Sequence, residues 1–556
     1  MTFNEQNHPA SICDVLEGTV EEWYDQVDGL LKQSDFIPGN YEYSVNVAYA
    51  NAGEFNEGGQ THVDISCDRF KIISLDNSYI SLKMEIPINK PAVTAVASGT
   101  HTRIKPVAYY IGFKSAFDAI DQYRIYSNSD LILTQNHSNY EAYLEYMALS
   151  DVHKENSELF ATYDKVQAMN EDVPGVYVKS TIADNTAAEI KIPLELRIPL
   201  NQFLMLANLK WFPGFFGKLT LEIYPSYKNL VILPIYPLVK HVAVGATYLT
   251  EGEMEGFADV ANTGTNRFGF VQINRPFVYA IDNKTSDSSK TLVTATFTCN
   301  TSTTKNCHIR LAETVVRMDI YNQILARFVN KPMLFPIQTI ISKDFSGAMP
   351  TADGGQISLT MTNALNHCNS MFIVFKKSND DRTCFENPMI KWQVNIDGKY
   401  FPREEYQTYD DHKNMNLFLD ATNFNGNGLF SVPNDIYHSL QPYVKRQDYS
   451  YANGQTVRDE TLVYAPKDRS NFAIGIPFCD DDTFQAGIHT GGTVQVELRG
   501  SRTAICPTLY ASTLPTALYV EDCILKLRAV KPSGEPQISF THATPEQLLA
   551  TAVVAN

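Results

Sequence analysis

From residue 58 to 89 apolar and polar positions alternate, with Ile80, Leu82, Met84 and Ile86 facing one way and Ser81, Lys83 and Glu85 the other. A period of two predicts half-buried strands. The period returns from Ile190 in IKIPLELRIPL and KLTLEIYPSY, then in NRFGFVQINRPFVYAI, KTLVTATFTCN and the long run CHIRLAETVVRMDIYNQIL. It continues in QISLTMTN, MFIVFKK, WQVNID before the turn at Gly398, FAIGIPF, TVQVELRG and LYVEDCILKLRAVKPS. The chain therefore reads as all-β, with long connections.

Three stretches break that period. Residues 13–32 place Leu16, Val20, Trp23, Val27, Leu30 and Leu31 on one helical face, with acidic residues elsewhere. That stripe needs a partner, either its own domain or a neighbouring molecule. From 113 to 166 the spacing changes from strand-like, around Tyr123, Ile125 and Leu131, to helical at Tyr140, Tyr143, Leu144, Met147 and Ala148. Ser138 stands three residues before Glu141, the spacing of a capping box, and a second helical pattern follows at Leu159, Phe160, Tyr163 and Val166. Pro545 to Val554 could form a short last helix. The polar stretches 170–188, 404–428 and 450–469 read as loops, and 404–428 carries the aromatics Tyr406, Tyr409, Phe418 and Phe424. NLVILPIYPLVKHV is too broken by proline for a central strand and reads as a connection.

At 556 residues one core is not expected. Ile198-Pro199-Leu200, Phe203, Gly217, Leu219, Leu221, Glu222 and Ile223 recur as Ile476-Pro477-Phe478, Phe484, Gly492, Val494, Val496, Glu497 and Leu498. The offset is 278 residues for the Ile-Pro pairs, half the chain length, and 275 for the glutamates, which points to a duplication. The expected division is an arm at 1–40, a first unit at 41–240 that closes near Tyr227 and carries helices at about 138–169, a second unit at 241–530, and an arm at 531–556.

Composition narrows the function. A net charge of −17 argues against a general nucleic-acid surface, and no direct sequence-specific nucleic-acid binding is expected. In an assembly it would make subunit association depend on salt or divalent ions. The nine cysteines show no CxxC pair, consistent with reduced thiols. The first residues lack a basic start and an apolar core, so secretion through a signal peptide is not expected, and no apolar run is long enough to span a bilayer.

No residue group stands out as chemical machinery, so no catalytic, cofactor-binding or metal site is assigned and the chain is not expected to be an enzyme. Gly426-Asn427-Gly428 lacks the third glycine of a dinucleotide loop. His367-Cys368 and Cys307-His308 lack a second ligand pair, and Asp480-Asp481-Asp482 reads as a solvated loop.

The 113–166 excursion with its Lys154–Ser157 run, the two repeated closing patterns and TCFENPMIKWQVNIDGKYFP from Thr383 to Pro402 together resemble the double jelly-roll major capsid proteins, the hexon-like lineage that includes virophages and Polinton or Maverick elements. The resemblance implies two consecutive eight-stranded antiparallel jelly-roll barrels. It also implies a homotrimer with a pseudo-hexagonal outline that tiles an icosahedral virion shell, meets neighbouring capsomers, penton and minor capsid proteins, and is assembled in the host cytoplasm or nucleus. Two other readings stay open: a two-domain jelly-roll protein that binds or processes glycans, and a single jelly-roll capsid protein with long insertions.

Overall fold

The computed structural model describes residues 41–46, 55–90, 108–144, 175–179, 188–235, 271–282, 290–315, 318–408, 411–422, 440–450, 456–466, 472–478, 490–502, 514–528 and 537–541, with shorter gaps inside several of these. Eight strands form a first set: β1 (Tyr41–Asn46), β2 (Thr61–Ile65), β3 (Lys71–Lys90), β4 (Ile120–Ser127), β5 (Asp130–Asn136), β6 (Ala188–Pro199), β7 (Leu219–Pro225) and β8 (Thr303–Val315). Eight more form a second: β9 (Met333–Asp344), β10 (Gln356–Ala364), β11 (Cys368–Lys376), β12 (Ile390–Ile396), β13 (Lys399–Gln407), β14 (Ala473–Pro477), β15 (Thr493–Arg502) and β16 (Leu514–Arg528).

In the first set the neighbours run β1-β8-β3-β6 in one sheet and β2-β7-β4-β5 in the other. The second set repeats this order with every label raised by eight: β9-β16-β11-β14 and β10-β15-β12-β13. These pairings are all antiparallel. Short strands extend these sheets, Phe55–Asn56 beside β8 and Trp211–Pro213 beside β3 in the first set and Gln537–Thr541 beside β16 in the second. Two sheets built on four strands each, with the last strand lying beside the first, are the jelly-roll arrangement. It lets each set bury two apolar sheet faces against each other.

The alternation read from the sequence is what fills those faces. Ile80, Leu82, Met84, Ile86 and Ile88 of β3 are buried beside Ile192, Leu194, Leu196 and Ile198 of β6. On the other side Lys83 reaches Glu195 at 3.3 Å and Lys191 reaches Glu85 at 3.5 Å. Such exposed pairs contribute about 0–1 kcal/mol each, so burial decides the register. The duplicated sequence pattern also falls on equivalent positions. Ile198-Pro199 ends β6 opposite Tyr79 and Ile80 of β3, and Ile476-Pro477 ends β14 opposite Ser370 and Met371 of β11. Glu222 and Glu497 lie in β7 and β15.

Several expectations need correction. The first set does not close near Tyr227: Thr303–Val315 pairs with both β1 and β3, although a boundary at 240 would assign it to the second unit. The run after it is not strand but helix α1 (Met318–Asn330), because Tyr321 and Ile324 are buried at helical spacing. Val231–Ile235, read as a connection, is an inner strand between Ala108–Gly112 and Val271–Gln272. The Val271–Gln272 strand covers Val231 and Ile232, so among the described residues Pro234 sits where one flank of that strand carries no partner. The expected loop at 170–188 contains strand Gly175–Lys179, and 450–469 contains Thr456–Pro466, paired with Leu440–Ser450. The loop expected at 404–428 begins with the end of β13 and then forms helix α2 (Asp411–Thr422), with Phe418 fully buried. Leu131, counted with the inward alternation, is 55% exposed. Within the expected arm at 531–556, Gln537–Thr541 pairs with the end of β16. The helices expected at 13–32 and 545–554, the second helical pattern at 159–166, and Tyr409 and Phe424 lie outside the described residues.

Helix α2 packs on β14 and β11 through a close approach at Gly475. A Cβ there would meet the Phe418 Cα at 2.6 Å and the Ala421 Cβ at 3.0 Å. Gly500 of β15 is tighter still: at φ +149°, an added Cβ would lie 1.8 Å from the Lys391 carbonyl oxygen on β12. We expect Gly500→Ala to cost about 3–5 kcal/mol and Gly475→Ala about 1–3 kcal/mol in denaturant unfolding. An unchanged midpoint for both would contradict this packing.

Candidate functional site

The residues weighed as chemistry do not converge. Cys307 is buried on β8, and burial pushes its thiol up to about 12. Burial first, then the positive charge of Lys83, lowers the pKa of neighbouring His308. Cys368 is buried in β11; His367, Gly426–Gly428 and Asp480–Asp482 lie outside the described residues. Among the described residues no three His, Cys, Asp or Glu side chains could hold a metal ion, and no helix is long and apolar enough to cross a membrane.

The duplicated glutamates are each satisfied within their own sheet. Glu222 accepts the Tyr224 hydroxyl and lies 3.7 Å from Arg124 and 4.0 Å from His62, while Arg124 stacks 5.1 Å over the Tyr224 ring. Burial, followed by the Glu222 hydrogen bond, pushes Tyr224 up to about 12. In the second set Arg499 lies 2.7 Å from Glu497 and stacks 5.5 Å over Tyr400, and Ser358 donates to Glu497 at 2.8 Å. The Arg499 hydrogen bond is the main cause holding Glu497 below the ordinary carboxylate range. A carboxylate neutralised by its own arginine and hydroxyls is a structural group, unlike the opposed pair of a glycosidase cleft.

A second shared device links each set to the helix that follows its β5 or β13. Tyr123 of β4 is fully buried and donates to Glu141 Oε2 at 3.0 Å. Trp392 of β12, also fully buried, donates to Asn414 Oδ1 of α2 at 2.8 Å. Both are large side chains with one polar atom needing a partner inside the protein, and both find it in a helical turn. Asn139–Glu141 and Leu144 are helical, as the spacing predicted. The capping box is not formed. Ser138 donates instead to the Ile120 carbonyl, and Glu141 turns inward to accept Tyr123 and the Leu204 N–H at 2.8 Å. A buried hydroxyl and a buried backbone N–H outcompete a helix end that water could satisfy.

The two sets meet where β5 faces β9. Gln135 of β5 donates through Nε2 to the Ile340 carbonyl at 2.8 Å, and the Ile340 N–H donates to Gln135 Oε1 at 3.4 Å. One side-chain amide thus takes the place of a strand residue on the edge of β9, which among the described residues otherwise pairs only with β16. Nearby, the rings of Tyr140 and Phe385 lie 6.0 Å apart. At the end of β9, Asp344 accepts from Lys376 at 2.8 Å and Thr516 at 2.7 Å. Burial alone would raise the Asp344 pKa, but these hydrogen bonds, the Lys376 charge and the charge of His137 hold it below the usual carboxylate range. His137 follows β5, so first-set charge acts on a second-set residue. Sequence reasoning assigned no role to Gln135, and a lone polar residue within a strand gives no signal of one.

No family model and no curated relative matches the chain. Among solved structures it is similar to a chain of the Sputnik virophage, with 11% identity over 92% of this chain and 91% of that one at a TM-score of 0.47. It is also similar to the mavirus major capsid protein, with 12% identity over 91% and 92% at 0.44, and to the Faustovirus major capsid protein, with 8% identity over 92% and 97% at 0.36.

Truncating Gln135 to Ala leaves the Ile340 N–H and carbonyl without their partner at a position 5% exposed. We expect a loss of about 1–3 kcal/mol in thermal or denaturant unfolding, with faster proteolysis between the two sets. Unchanged unfolding and proteolysis would show that the amide does not hold the junction.

Proposed function

We propose that the chain is a major capsid protein whose three copies close into a pseudo-hexagonal tile of an icosahedral shell. The observation that carries this is the duplicated strand order joined through Gln135 and Ile340. In this reading each set is one barrel, the first spanning 41–315 and the second 333–528, with α1 as the link between them. An edge strand of the first barrel, β5, meets an edge strand of the second, β9. Their counterparts are β13 and β1, which stand at sheet edges with no further strand paired on their outer sides among the described residues. A second copy can repeat the same contact, its β1 meeting the first copy's β13.

A head-to-tail contact of this kind either closes into a ring or runs on as a filament. Three copies, each supplying two equivalent barrels, close it with six similar units around one axis. The chain is then a virion component, and its partners are its own copies, neighbouring capsomers, and penton and minor capsid proteins. Its role is mechanical and non-enzymatic. Glu222 and Glu497 are each held by their own sheet, which does not favour them as the opposed pair of a glycan-processing cleft.

Purified protein examined by light scattering is expected to have a mass near three times 62.4 kDa, with a hexagonal outline in negative stain. A monodisperse monomer at micromolar concentration would contradict the tile.

A further inference from the structure

The second set buries a carboxyl group that none of the roles above uses. Glu521 sits within β16, 2% exposed, directly opposite Thr339 of β9 and Cys368 of β11. Its hydrogen-bond partner is the Asn366 N–H, at 3.4 Å. Among the described residues the titratable groups facing it are Tyr519 and Cys523 on its own strand and Cys368 on β11; β9 presents the uncharged Thr339, whose hydroxyl lies 3.8 Å from the Cys523 sulfur. Tyr519 points to the opposite sheet, where its hydroxyl meets Met361 at 3.4 Å. None of these neighbours is a cation. Among the described residues an ionised carboxylate here would have one long hydrogen bond and no counter-charge, which is costly in a buried site.

The position matters because β9 is the junction strand. Thr339 faces Glu521, and the next residue, Ile340, carries both hydrogen bonds to Gln135. Among the described residues β9 pairs as a strand with β16 alone, and its further polar ties include that amide and the Lys376–Asp344 ion pair at its far end.

We propose that Glu521 is a proton-operated latch: neutral, it lets β9 lie firmly on β16, and ionised, it loosens β9 and so weakens the junction between the two sets. The latch concerns the fold of a single chain and stands apart from the capsid reading. Burial raises the Glu521 pKa to about 7, which places the change near neutral pH. The sign follows from linkage. The folded-state value lies above the unfolded one, so the contribution to stability is complete below the unfolded value, falls as pH rises, and is lost once pH passes the folded value.

The test compares the full-length wild type with Glu521→Gln between about pH 6 and about pH 8.5. Two readouts are melting temperature and hydrogen exchange of residues 333–344, corrected for intrinsic rates. The wild type is expected to melt lower at the higher pH and to exchange about tenfold faster in that segment, a population change that one pKa unit provides. The Gln variant is expected to show neither change. Parallel behaviour of the two proteins would overturn the latch. Should the variant fail to fold, carbon NMR of wild type labelled at the glutamate carboxyls decides: one carboxyl protonated at about pH 6 and ionised at about pH 8.5 supports the latch, and none protonated at the lower pH overturns it.

Discussion

A strand at the edge of a sheet exposes unpaired N–H and carbonyl groups, and a protein built from two open sheets in each half has several such edges to cover. At β9 the cover is one side chain. Gln135 offers a carbonyl and an amide at the spacing of a peptide group, and Ile340 uses both. This contact fixes how the first set addresses the second, and the proposed association of copies extends it. It also explains why an all-β chain with long connections can hold two similar halves in a defined relation without merging them into one sheet.

Around that contact each half solves the same problem alike. The strand order is the same, the repeated glutamate is held by an arginine lying over a tyrosine ring, and a buried aromatic on the fourth strand gives its polar hydrogen to a following helix. The solutions differ in detail, Tyr123 with Glu141 against Trp392 with Asn414. Equivalent positions with different side chains are what an old duplication would leave, because geometry constrains the role more tightly than the residue.

Much of this was legible in the sequence where the signal was local. The alternation at Ile80 to Ile86, the repeated Ile-Pro pairs, and Leu219-x-Leu221-Glu222 with its counterpart Val494-x-Val496-Glu497 marked real strands in equivalent places. What escaped was non-local or weakly periodic. Strand β8 pairs with residues more than two hundred positions earlier, and nothing within Thr303–Val315 names those partners. Helix α2 buries Phe418 and Ala421, but its apolar residues Met415, Leu417, Phe418, Leu419 and Ala421 are bunched within seven positions after a polar start, too short a run to reveal a helical stripe. The Ser138–Glu141 spacing was read correctly as the start of a helix but not for its bonds, because Tyr123 and Leu204 become neighbours only after folding. Gln135 was invisible for the same reason.

The central claim is that copies of the chain join through the counterparts of the internal junction, and a cryo-EM map of the purified assembly tests it most directly. The account predicts six barrels around a three-fold axis, with β13 of each copy against β1 of the next in the manner of β5 against β9. A map in which copies meet through other strands, or in which the two halves of one chain do not touch at Gln135 and Ile340, would contradict it.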